Sequence, residues 1–163
     1  MTVRPIRLFG DPVLRTVSEP VILGNPTAVG LIADLVDSVA IPGRAGVAAC
    51  QIGINLRAFS INIDGRISYV INPLLVEVSG DPSFVDEGCL SVPGLQFPRK
   101  RFPFASVAGV DLSGEPVLLS GTGLIAQALQ HELDHLDGHL YIECLERDSK
   151  REAMRIIRES SWF

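Results

Sequence analysis

The sequence predicts an α+β fold: small antiparallel sheets packed around a central helix, with an N-terminal helix and a C-terminal helix. Two observations carry this. Helix-period segments stand near the start, around residue 130 and at the end of the chain, while short β-rich runs separated by turn signals dominate the middle. No repeat, low-complexity tract or linker-like shift interrupts the 163 residues, so a single domain over 1–163 is expected.

The first helix is written in NPTAVGLIADLVDSVA. Asn25 suits the N-cap, Pro26 the first helical position, where its missing N–H costs nothing, and Val29, Ile32, Val36 and Val39 recur on one stripe. IPGRAG then breaks the helix. LRAFSINIDGRISYVINP gives two β-rich runs around Asp64-Gly65, a strong hairpin signal, and LLVEVS after Pro73 reads as another strand. The following GDPSFVDEGCLSVPGLQFPRKRFPF is rich in turn formers and is expected to be irregular. ASVAGVD and PVLLS, joined by LSGE, form a second hairpin. From Thr122 the pattern turns helical, and TGLIAQALQHELDHLDG runs to Gly138, a plausible stop. DSKREAMRIIRESSWF closes the chain as the last helix.

Composition removes several function classes. The formal charge of −5 gives no basic field, and Arg99, Lys100 and Arg101 are too short a run for a phosphate-binding patch, so no direct nucleic-acid site is expected. No window approaches the apolar length of a membrane span, and the start lacks the apolar stretch of a signal peptide; a soluble cytoplasmic protein with no membrane partner is expected. The three cysteines are odd in number and far apart, a poor disulfide framework, which leaves one free as a metal ligand or nucleophile.

The chemistry concentrates in QHELDHLDGHLY. Residues four apart on a helix stand one above the other, so His131 and His135 project from one face and can bind the same ion. Glu132 sits beside that face, placed to act as general base for a metal-activated water, the metallohydrolase use of an H-E-x-x-H spacing. His139 continues the spacing, but Gly138 should already have ended the helix. A hydrolytic site with two imidazoles and an open water position needs one more donor, commonly Cys, Asp or Glu. Cys89 in DEGCLSVPG is the best candidate, because the neighbouring glycine permits close backbone approach and a loop can carry the thiolate to the helix. A downstream glutamate, Glu143, Glu146 or Glu159, is the alternative, and would make the chain a metallopeptidase. A catalytically silent metal-binding module is a further alternative.

Three separated segments, GVAACQ at 46–51, EGCLS at 87–91 and QHELDHLDG at 130–138, resemble in order and spacing the three motifs of the peptide deformylase family. IRLFGDPVLR, YVINP and GTGLIAQALQHE extend the likeness over nearly the whole chain. The resemblance implies a monomeric enzyme of protein biosynthesis that removes the formyl group from the N-terminal formyl-methionine of nascent peptides. It implies one divalent metal ion, Fe2+ by preference, with Zn2+, Ni2+ or Co2+ as other ions, held by Cys89, His131 and His135. By the same resemblance, Glu132 works with metal-bound hydroxide, while Gln51 and the backbone N–H of Leu90 stabilise the formyl oxygen. Leu124 and Ala128, on the helix face that leads away from the metal, are candidates to line a methionine pocket, and the backbone of Ala45 and Gly46 to pair with the extended peptide. Ribosome association through the last helix is left open. The sequence departs from the family pattern where Arg44 replaces a usual glycine and Cys50 a frequent proline.

Overall fold

The computed structural model describes residues 3–163 and has the expected α+β architecture. Helix α1 (Pro26–Val39) starts as its cap residue dictates: the Asn25 side chain accepts the Thr27 N–H at 2.9 Å. Its buried face, however, is Ala28, Leu31, Leu35, Ser38 and Val39 with Ile32, while Val29 is 58% exposed. The apolar stripe misleads here because two polar residues belong to the inner face: Asp34, bound by Arg4 Nε at 2.5 Å, and the fully buried Ser38.

Seven antiparallel strands follow in two sheets: β1 (Gly46–Ala48), β2 (Ala58–Ile63), β3 (Arg66–Ser79), β6 (Phe104–Val110) and β7 (Pro116–Thr122) in the order β1-β2-β3-β6-β7, and β4 (Ser83–Cys89) with β5 (Val92–Arg101). The Asp64-Gly65 turn joins β2 to β3 with both residues at positive φ, 53° and 78°, as a two-residue hairpin requires. LLVEVS is not a separate strand. β3 runs through Pro73, and the proline is absorbed by register shifts against β6 between Ile71 and Leu74 and between Leu75 and Glu77. The segment expected to be irregular is the β4–β5 hairpin, whose prolines at 93 and 98 lie in a sheet of only two strands.

Helix α2 (Leu124–Leu136) packs on one face of the larger sheet and α1 on the other. Strand alternation divides the core accordingly. Phe59 and Ile61 of β2 pack with Leu129, Leu133 and Leu136 of α2, whereas Ala58 of β2 joins Leu31, Leu35 and Val39 of α1. Truncating a fully buried leucine such as Leu129 or Leu136 would cost roughly 2–5 kcal/mol. A third apolar cluster joins Val92 and Leu95 of β5 to Tyr141, Ile142 and, from α3 (Arg147–Glu159), Ala153 and Ile157. That cluster anchors the β4–β5 hairpin beside the C-terminal end of α2. Among the described residues no helix is long and apolar enough to cross a membrane.

Candidate active site

The fourfold spacing on α2 brings the His131 and His135 rings to 4.7 Å between centroids, at 83°. The β4–β5 hairpin delivers Cys89 to them, with Sγ 3.2 Å from His135 Nε2. One donor atom from each of Cys89, His131 and His135 lies within 4.8 Å of the others, the one such group among the described residues. Donors about 2.0–2.3 Å from one tetrahedral ion sit roughly 3.3–4 Å apart, so this set fits a single divalent cation. Glu143 instead pairs with Arg15 at 2.7 Å, Glu159 with Arg155 at 2.9 Å, and neither they nor Glu146 joins the group. α2 ends at Leu136 and Gly138 turns away with φ +79°, which leaves the His139 side chain 62% exposed and off the site.

A buried hydrogen-bonded chain of charged groups lies behind His131. Glu87 Oε1 is 2.7 Å from His131 Nδ1, and Arg101 grips the same carboxylate with Nε–Oε2 at 2.8 Å and Nη2–Oε1 at 2.6 Å. Arg101 Nη1 also pairs with Asp134 at 2.8 Å. Burial pushes the Glu87 pKa up, but hydrogen bonds from Arg101 and His131 outweigh it and hold the carboxyl at about 2. A carboxylate on Nδ1 assigns the proton there and leaves Nε2 as the donor atom. Sequence reasoning missed Glu87. The available signal was strand periodicity: Arg99 and Arg101 share one face of β5, so a glutamate on the paired strand could be buried against them.

The same field sets the ionisation of the site. Burial opposes a charged Cys89, yet the His135 and His131 imidazoles hold its thiol well below the ordinary range. Burial likewise opposes a charged His131, and the bonds from Cys89 and Glu87 raise it well above its ordinary value. Glu132 is 2% exposed and its Oε2 has no hydrogen-bond partner among the described residues. Burial pushes its pKa up; the two imidazoles pull it down, Cys89 and Glu87 push it up again, and it stands at about 7. A buried, unpaired carboxyl that exchanges protons near neutrality is suited to proton transfer.

A cleft of about 570 Å³ opens over these groups, and its walls include Ala45, Gly46, Gln51, Leu90, Leu124 and Ala128. Gln51 follows β1 in a short 3-10 turn, and its Oε1 accepts the Ala48 N–H at 2.9 Å. That bond turns its Nε2 toward Ser91 Oγ, at 3.3 Å, and Cys89 Sγ, at 3.5 Å. Ser91, whose N–H also lies 3.4 Å from Cys89 Sγ, is a second residue that the sequence did not single out. Leu90 sits in the tight turn between β4 and β5. β1 is an edge strand, and because Ala45 O accepts from Asn62 N–H at 2.9 Å, alternation directs the Gly46 N–H and C=O to the free edge.

The profile of the polypeptide deformylase family matches residues 3–151. The chain is 48% identical over 162 residues to a peptide deformylase of Acidothermus cellulolyticus, covering 99% of this chain and 89% of that protein. It is 44% identical over 163 residues to one from a Parafrankia species, with the same coverage of both. Among solved structures, a peptide deformylase from Legionella pneumophila superposes with a TM-score of 0.90 at 34% identity, covering 97% of this chain and 95% of that one. One from Ehrlichia chaffeensis in complex with actinonin gives 0.89 at 28% identity, covering 99% of both chains.

Proposed function

The chain belongs to the polypeptide deformylase family, enzymes that remove the N-terminal formyl group of newly made polypeptides, and from that premise we propose that Cys89, His131 and His135 hold one divalent cation while Glu132 moves the protons. The observation that carries this reading is the convergence of one thiolate and two imidazoles beside a buried carboxyl with a free oxygen. Bound there, the cation supplies the positive charge that acidifies water and polarises a carbonyl. A thiolate donor would soften that Lewis acidity, and Fe2+ is the ion we propose for this mixed thiolate and imidazole set.

The chain's own groups do the rest. Glu132 accepts the proton of the attacking water and delivers it to the amide nitrogen as the C–N bond breaks, which releases formate and a free N-terminal amine. The Gln51 amide and the Leu90 N–H donate to the formyl oxygen as negative charge collects on it; one such donor contributes roughly 3 kcal/mol. Glu87 and Arg101 hold the His131 ring in register and keep its Nδ1 protonated. Leu124 and Ala128 face the methionine side chain, and the Gly46 edge of β1 pairs with the peptide as an added strand. Single-domain architecture, a monomeric state, a cytoplasmic setting and any docking of α3 on the ribosome belong to the same proposal.

The test is release of formate from formyl-Met-Ala-Ser by anaerobically Fe2+-loaded protein. The proposal expects multiple turnovers that fall on exposure to air, through oxidation of the metal or of Cys89. Full activity and metal content in Cys89→Ala would overturn the ligand assignment.

A further inference from the structure

Arg44 stands at the mouth of the cleft, one residue before Ala45 and two before Gly46. It is half-buried, and its Nη1 donates to Ser38 O at 2.9 Å, a carbonyl of the last turn of α1. That single tether fixes the guanidinium at the rim and leaves its other N–H donors uncommitted to Ser38. Among the described residues no carboxylate lies within ion-pair distance of Arg44. Asp86, the exposed acid that also lines the cleft, lies on β4, where its carbonyl accepts from Gln127 of α2.

The route of a bound peptide is constrained by burial. With the formyl group over Glu132 and Cys89, a chain paired to the free edge of β1 can leave in one of two directions. Toward Val47, Ala48 and Ala49 the way is closed, because those residues are completely buried. Toward Arg44 and the exposed Gly43 it is open. Strands advance about 3.3 Å per residue, so the one or two residues after the methionine pass Arg44.

We infer that Arg44 is a specificity-determining residue whose guanidinium reads the charge of the residues that follow the formyl-methionine and favours acidic side chains over basic ones. The inference rests on the peptide path proposed above. An uncompensated cation beside an extended chain attracts a carboxylate and repels an ammonium, and because it acts on binding remote from the reacting bond, its effect falls on KM rather than kcat.

The experiment compares kcat/KM for amidated formyl-Met-Glu-Glu, formyl-Met-Gln-Gln and formyl-Met-Lys-Lys in the Fe2+-loaded enzyme and in Arg44→Gln and Arg44→Lys. The glutamate-to-lysine ratio is read within each protein, so loss of folded or metal-loaded enzyme cancels. For the native chain we expect a ratio of about 5, falling toward 1 in roughly 1 M salt. Arg44→Gln should bring it to about 1 at low salt, and Arg44→Lys should retain most of it. A native ratio of 1 or less, or an unchanged ratio in Arg44→Gln, overturns the inference while leaving deformylation intact. Absence of formate from the neutral peptide overturns the functional reading and this inference together.

Discussion

Gly46 and Glu132 compete for one small volume. A Cβ built on Gly46 would meet the Glu132 side chain with Cγ at 2.9 Å and Cδ at 2.7 Å, and would overlap Oε1 outright. Glycine on β1 is therefore what allows the carboxyl to lie against the strand edge, in addition to any pairing of its backbone with substrate. Gly46→Ala should displace the carboxyl and lower kcat/KM for formyl-Met-Ala-Ser by about 100-fold, the scale of a misplacement near 1 Å. Metal content should be unchanged, since no ligand is touched. A variant that keeps full activity would show that Glu132 need not sit where it does.

Stability should depend on pH through Glu87. Its folded-state pKa is depressed, from 4.5 to about 2, so its contribution is complete above the unfolded value and is lost as pH falls through the folded one. The size is on the order of 3 kcal/mol. In denaturant titrations of metal-free protein, Glu87→Gln should be less stable than the native chain near neutral pH. The gap should shrink steadily as pH falls from about 4.5 toward about 2. A gap independent of pH over that range would mean that the carboxylate charge is not what Arg101 and His131 hold.

Thiol chemistry separates the three cysteines without recourse to activity. Cys50 is fully buried, and burial first, then the Glu132 charge, pushes its thiol up to about 12. Cys144 is exposed, and the Cys89 thiol is held low by the two imidazoles. Alkylation of metal-free protein near neutral pH should therefore modify Cys89 and Cys144 but not Cys50. Loading Fe2+ under anaerobic conditions should protect Cys89 alone. Equal labelling of Cys89 with and without metal would remove it from the coordination set.

Much of this site could be read in the sequence because the governing constraints are local. The spacing of His131 and His135 becomes a shared face on any helix, and Gly138 has one cheap way to stop that helix. Asn25-Pro26 and Asp64-Gly65 fix their elements by cap and turn chemistry that does not depend on neighbours. What was hidden was set by partners distant in the chain. The β4–β5 hairpin carries prolines and turn formers that read as loop, and only its packing against Tyr141, Ile142 and α3 shows why it is a sheet. Glu87 carries no local signal, because its partner Arg101 lies 14 residues away on the facing strand. Gly46 suggested backbone pairing, while its close approach to Glu132 depends on how α2 crosses β1.

The most direct test of the account is formate release by Glu132→Gln, measured against the native chain at equal Fe2+ content. Glutamine preserves the size of the side chain and the three metal ligands but cannot take up or deliver the proton. Turnover should fall by roughly 100- to 10,000-fold, the range expected for loss of a general acid–base, with the metal retained at one ion per chain. Undiminished formate release from a fully loaded Glu132→Gln protein would contradict the assignment of proton transfer to Glu132.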